Sequence, residues 1–378
     1  MNFDLTEEQQ LLGASLRRFL EREYDFDARR RIVASDSGWS IEAWRTLAEL
    51  GVLGVSLPEA FGGLGGGAVD QMPVMDMIGE GLLVEPYLAT VGLGAQLVAR
   101  AGDDAQKQRW LPVVASGALR LAFAHTEASS RYDLARVAVR ATRVGDGFTL
   151  AGEKRMALHA PCADALVVSA RLHGADDDPA GIALFVMEAH APGVMQRASR
   201  TLDGMRAADI AFDDAHVGVD GQLGAGADAY AVMDAVVDHA TALICAEAVG
   251  AIRYANEATL EYLKARQQFG VPIGSFQALQ HRMVDMLASY EQARSMAALA
   301  CAAVDTETDA ARRRHMVSAA KVKIADACRH VSQESVQLHG GMGMTDELKI
   351  SHTFRRLTMI AQQFGDADHH LERFAATS

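Results

Sequence analysis

The feature that most constrains this chain is a double change in hydrophobic period. Apolar residues recur at helical spacing near the N-terminus, switch to short alternating runs in the middle, and return to helical spacing for the remainder. Thr6, followed by Glu7, Glu8 and Gln9, reads as an N-cap, and Leu11, Leu12, Leu16, Phe19 and Leu20 follow at helical spacing. Trp44, Leu47, Leu50 and Leu53 predict a second helix, residues 58–67 a glycine-rich turn, and further helical segments run to about residue 114. In the middle, residues 136–144 place Val137 and Val139 on one face, opposite Arg136 and Arg140. Asp146-Gly147 signals a hairpin ahead of Phe148-Thr149-Leu150, while 165–170 and 182–187 are short β-branched runs. Ile210-Ala211-Phe212 ends at Asp213-Asp214, which reads as another turn. Long, alanine-rich helices are expected over 234–267, 275–304 and 316–339, with Gly340-Gly341 as a stop. The expected architecture is mainly α with a central β domain: an N-terminal helical domain (1–119), an antiparallel β-barrel (120–223) and a C-terminal four-helix bundle (224–378).

Composition narrows the function classes. The 378 residues carry a net charge of −13, which disfavours nucleic acid, since phosphate binding needs a basic surface. The four cysteines, Cys162, Cys245, Cys301 and Cys328, are widely spaced with no C-x-x-C pair. They suggest neither a metal site nor a disulfide framework, and are expected to be reduced and buried. The acidic, polar start lacks the features of a signal peptide, and no apolar run reads as long enough to cross a bilayer. The expectation is a cytoplasmic protein with no membrane insertion.

Five colinear segments carry a family resemblance: Gly62-Gly63-Leu64-Gly65, Phe123-Ala124-His125-Thr126-Glu127, Gly152-Glu153-Lys154, Arg266-Gln267-Gln268-Phe269-Gly270 and Gln337-Leu338-His339-Gly340-Gly341-Met342-Gly343. In that order and spacing the chain resembles the acyl-CoA dehydrogenases across essentially its whole length. The resemblance implies FAD bound at a subunit interface and an acyl-CoA substrate. It also implies an electron-transfer flavoprotein or similar acceptor, and assembly as a homo- or hetero-oligomer. The family's reaction takes an α-proton with a carboxylate base and sends a β-hydride to the flavin, so a base must reach the α-carbon.

By the same resemblance, Arg266 corresponds to the arginine that reaches the FAD pyrophosphate of a neighbouring subunit, a task suited to a planar donor fork. Phe269 would pack against that dinucleotide, and Gln337 with the Gly340-Gly341 turn would form a second interface contact. Thr126 matches a threonine that hydrogen-bonds the flavin ring, and Asp366 and Asp368 lie where relatives touch the FAD ribose.

Other positions depart from the family pattern. The catalytic glutamate position holds Phe364, and an alternative base position on the first long bundle helix holds Ala240, followed by Thr241 in place of an arginine. Met156 replaces the aromatic that covers the flavin, and Leu158, which cannot hydrogen-bond, replaces a hydroxyl. Arg131 and Tyr132 stand where the family has small residues. No catalytic residue is assigned. Arg266, Phe269, Gln337 and the Gly340 turn would serve a neighbour's FAD, while Met156, Leu158, Phe364, Ala240 and Thr241 would serve this chain's own flavin and substrate. Three readings follow. The chain is the small subunit of a heteromeric enzyme whose partner supplies the base. Alternatively it is a self-sufficient dehydrogenase, or a same-fold flavin monooxygenase, with a displaced base among His369, His370, Asp366, Asp238 and His239. The third reading is a non-catalytic scaffold.

Overall fold

The computed structural model describes residues 6–224, 226 and 229–376. Helices α1 (Glu7–Arg22), α2 (Phe26–Ala34), α3 (Ile41–Glu49), α4 (Ala68–Gly81), α5 (Ala95–Ala101) and α6 (Asp104–Ala115) precede the strands. Thr6 forms a full capping box with Gln9, each side chain accepting from the other's backbone N–H, as the opening sequence predicts. Strands β1 (Leu121–Ala124), β2 (Arg140–Val144), β3 (Gly147–Leu158), β4 (Ala165–Arg171), β5 (Ile182–Glu188), β6 (Val194–Arg200) and β7 (Arg206–Gly218) follow. The chain then forms α7 (Ala229–Ala265), the two-residue strands β8 (Gln267–Gln268) and β9 (Val271–Pro272), α8 (Gln277–Thr306), α9 (Ala310–His339), α10 (Lys349–Gln362) and α11 (Ala367–Ala375). The chain separates into two compact units, one of Met1–Arg30, Ala68–Leu83 and Thr241–Ser378, the other of Arg31–Gly67 and Val84–Ala240.

In the unit that holds the strands, the seven-stranded sheet runs β1-β4-β2-β3-β7-β6, with β5 pairing β4. The expected antiparallel barrel is corrected to a mixed sheet, because β1 and β4 pair in parallel from Leu121↔Ala165 to Ala124↔Val168, and β2 touches β4 in parallel at Arg140↔Arg171. Parallel neighbours need a long connection between them, and residues 125–164 supply it. Its core is closed by Phe148, Leu150, Leu166, Val168, Phe185, Ile210 and Phe212, all buried. Two local expectations change. Only Arg140–Val144 of the 136–144 stretch joins the ladder, since the N–H groups of Ala138 and Val139 donate to the Glu127 carboxylate instead. Asp213-Asp214 is a bulge within β7 and no turn: Asp214 adopts φ 48°, and the register with β3 shifts between Leu150 and Gly152.

In the helical unit, α9 packs against α8, α10 and α11. Helices α4 and α7 cross at glycines. A Cβ on Gly79 would lie 1.9 Å from the Glu247 carbonyl oxygen, and one on Gly250 1.9 Å from that of Asp76. Glu247 and Arg356 form a buried bidentate pair joining α7 to α10, with Nη2 to Oε2 at 2.7 Å. Glu247 and Gly250 of α7 thus serve packing within this unit. Contrary to the expectation that no run could span a bilayer, α7 is long and apolar enough by composition, with a mean hydropathy of 1.5 over its best window. That window is 89% buried within the protein, as in a core helix. Cys245, Cys301 and Cys328 are buried free thiols, and Cys162 is a half-buried one.

Candidate functional site

Arg266 directly follows α7, where helical geometry ends and its backbone N–H still reaches the Tyr262 carbonyl at 2.8 Å. The Arg266 carbonyl accepts from Ile273 at 2.8 Å, which anchors the hairpin of β8 and β9 at its base. Between the paired strands stand Phe269 and Gly270, both at positive φ (55° and 79°). Two central residues of this hand make a type I′ turn, the geometry that matches strand twist in a two-residue hairpin. Phe269 is therefore held at the tip, 91% exposed, touching Phe276 edge-on at 6.1 Å. The Arg266 side chain is exposed and makes no hydrogen bond or ion pair among the described residues.

The tertiary structure brings the second predicted contact to the same place. Tyr262, one turn before Arg266, stacks on His339 at 4.4 Å and 27°, so the ends of α7 and α9 meet. His339 Nδ1 bonds the Ser335 carbonyl at 2.8 Å, and burial holds the ring's pKa below its usual value. Gln337 is exposed on the last turn of α9, with its carbonyl capped by the Gly340 N–H. Gly340 takes φ 61°, and a Cβ on either Gly340 or Gly341 would meet nothing within 4 Å. Open glycine backbone, an exposed amide and an unengaged guanidinium are thus carried by two helix ends that meet at this stack. That donor set fits a pyrophosphate-bearing dinucleotide such as FAD.

The remaining predicted residues stand elsewhere. Asp366 caps α11, its Oδ1 accepting from His369 N–H at 2.9 Å, and Asp368 is exposed in the first turn of that helix. Phe364 lies in a turn at φ 59°, and Gly365 follows at φ 126°, where a Cβ would come within 2.6 Å of His370. The turn is pinned from below. Lys321 Nζ donates to the Gly365 carbonyl at 2.7 Å, and His370 Nε2 to the Phe364 carbonyl at 3.1 Å. Burial drives the His370 pKa down to about 2, so this ring is neutral. His239 is likewise buried, its pKa lowered to about 3 by desolvation. Ala240 is fully buried and Thr241 nearly so.

In the strand-bearing unit, Thr126 follows β1 and is exposed, its carbonyl accepting the Arg155 N–H at 2.6 Å. Met156 is 48% exposed at φ 51°, on a bulge of β3, and its N–H donates to Asp209 Oδ1 at 3.1 Å. Asp209 also accepts from Arg197 at 2.8 Å and Arg155 at 2.9 Å, and these donors, Arg197 first, hold its carboxyl at about 2. Sequence reasoning missed the buried group beneath Thr126: His125, Glu127, Lys154 and Ser169. Glu127 and Lys154 stood inside quoted motifs, but no local signal announces that they pair across 27 positions.

The N-terminal, middle and C-terminal domain families of acyl-CoA dehydrogenase match residues 6–118, 122–215 and 229–377 in order. Acyl-CoA dehydrogenase FadE12 of Mycobacterium tuberculosis is 31% identical over 327 residues, spanning 85% of this chain and 84% of the relative. Among solved structures, a variant of the Tcur3481-Tcur3483 steroid ACAD superposes with a TM-score of 0.87 at 30% identity, covering 98% of this chain and 97% of that one. The ChsE4-ChsE5 complex from Mycobacterium tuberculosis gives a TM-score of 0.87 at 27% identity, covering 100% and 98%. The chain belongs to the acyl-CoA dehydrogenase family. Its members are FAD-dependent oxidoreductases acting on CH–CH groups.

Proposed function

We propose that this chain is a subunit of an FAD-dependent enzyme that desaturates an acyl-CoA thioester between its α and β carbons. In this reading it is the small subunit of a hetero-oligomer, and its partner, a second acyl-CoA dehydrogenase chain, supplies the catalytic base. The carrying observation is the exposed assembly of Arg266, Phe269, Gln337 and the Gly340-Gly341 turn, gathered by the Tyr262–His339 stack. FAD, when bound, accepts the hydride. Arg266 would hold its pyrophosphate, the Gly340-Gly341 backbone would let it approach closely, Gln337 would offer its amide, and Phe269 would exclude water from the contact. The strand-bearing unit, taken by itself, would offer Thr126 to the edge of a flavin of this chain's own. Asp366 and Asp368, at the start of α11, would touch the ribose.

The partner is needed because the usual base positions here are a phenylalanine and an alanine, Phe364 and Ala240. Of the candidates for a displaced base, Asp366 caps a helix, and His370 is buried and bonded to a carbonyl. The relatives that are a steroid ACAD and a two-protein complex favour a bulky acyl group and a heteromeric assembly. A cytoplasmic location, electron transfer to an electron-transfer flavoprotein or similar acceptor, and the domain division at 119 and 223 belong to the same proposal.

The test is co-expression of the tagged chain with a full-length acyl-CoA dehydrogenase from its own genome. The purified complex should carry flavin and reduce ferrocenium with an acyl-CoA. Arg266→Ala should release the flavin, raising the FAD Kd by about 10- to 100-fold, the worth of a charged hydrogen-bonded contact. A stable complex without flavin, or full activity of the isolated chain, would refute the proposal.

A further inference from the structure

Four side chains beneath the Thr126 end of β1 form one buried polar chain. Lys154 is fully buried, and its Nζ donates to Glu127 Oε1 at 2.6 Å and to Ser169 Oγ at 3.1 Å. Ser169 Oγ pairs with His125 Nδ1 at 2.9 Å. Glu127 also accepts the N–H groups of Ala138 at 2.8 Å and Val139 at 3.1 Å, and its own N–H donates to Ser130 Oγ at 2.9 Å. Desolvation lowers the Lys154 pKa to about 8, partly opposed by Glu127, and burial lowers His125 to about 3. The lysine is thus the cation of the group and the histidine is neutral.

Thr126 lies between two of these residues, and it alone of the three is exposed. Its carbonyl is bonded to Arg155, the residue after Lys154, at 2.6 Å. Both sequence neighbours of Thr126 are therefore fixed by one cluster, and Arg155, bonded to its carbonyl, directly follows the cluster's lysine. A buried ion pair contributes little net stability compared with apolar side chains of equal volume, because desolvation offsets the Coulomb attraction. What such a pair can supply is position. The layer above has changed, with Met156 half exposed on its bulge, while this frame is complete.

We propose that Lys154, acting through Glu127, is a positioning residue that sets the orientation in which the Thr126 hydroxyl meets a flavin edge. The inference rests on the reading of this chain as part of an FAD enzyme. Substituting both partners, Glu127→Gln with Lys154→Met, removes the pair without stranding a charge. In the isolated chain, amide exchange at Arg155 should rise by about tenfold, the loss of roughly one hydrogen bond's worth of protection, while the fold persists. In the assembled complex, FAD should bind several-fold more weakly with a shifted visible absorption band. Thr126→Val should give the same shift, and adding the pair substitution to Thr126→Val should change little more, since coupled residues do not add. Additive effects, or unchanged exchange at Arg155, overturn the proposal while leaving the FAD reading intact. A parent complex without flavin overturns both. Should the double variant fail to fold, Ser169→Ala, which removes one Lys154 bond, carries the same comparison with a smaller shift.

Discussion

Replacing Phe269 by asparagine separates the stability of the chain from the strength of its assembly. The hairpin tip demands positive φ at residue 269, a conformation that costs a phenylalanine roughly 1 kcal/mol and that asparagine tolerates, Asn-Gly being the favoured type I′ pair. The substitution loses the edge-on contact with Phe276, worth about 0.5–1 kcal/mol. These terms offset one another, so the isolated chain should melt within a degree or two of the parent. In the proposed assembly the balance differs. A side chain that is 91% exposed in the single chain and covered by a partner contributes about 1.5–3 kcal/mol of burial. Its loss should weaken association by about 10- to 150-fold. Calorimetric melting of the isolated chain and sedimentation of the complex across a dilution series read the two quantities independently. Unchanged association would remove the tip from any interface. A melting point lower by several degrees would show that Phe269 serves the chain's own core, against the reasoning from exposure.

Three further outcomes follow from the packing. Gly79→Ala or Gly250→Ala should destabilise the helical unit by about 3 kcal/mol or more, measured by chemical denaturation, because each Cβ would meet backbone oxygen at 1.9 Å. Glu247→Gln should cost about 3–5 kcal/mol by leaving the buried Arg356 guanidinium without its charge partner, and pairing it with Arg356→Met should recover much of that loss. His125 and His239 are held neutral at a folded pKa of about 3, below the unfolded value, so their stabilising effect is complete above pH 6.5 and is lost as pH falls toward 3. Each should subtract up to about 2 kcal/mol between pH 6.5 and 5, and a His125→Gln variant should show a correspondingly shallower acid denaturation slope.

Much of the element order was legible because its signals are local. Helical spacing over α1, α3 and the long helices α7 to α9 depends on residues three and four apart, and Thr6 lies within one turn of its capping partner. The Asp213-Asp214 turn failed for the converse reason: aspartate favours positive φ in turns and bulges alike, and only the opposing β3 register chooses between them. The 136–144 strand was shortened by a carboxylate eleven residues upstream of Ala138 that competes for its amides. Residue composition could not reveal that competition.

For the candidate site, the sequence alone determined residue types: an arginine before a phenylalanine-glycine pair, a glycine run, and a phenylalanine and an alanine at positions 364 and 240. The tertiary structure alone decided their placement. The Tyr262–His339 stack joins segments 77 positions apart (339 − 262), the β1–β4 pair is parallel, and Glu127 meets Lys154 in a dry interior. Such contacts form only when burial of apolar surface closes long loops, and the entropy of that closure is offset by the whole core together. A motif of a few residues therefore carries no record of which distant side chain it will face.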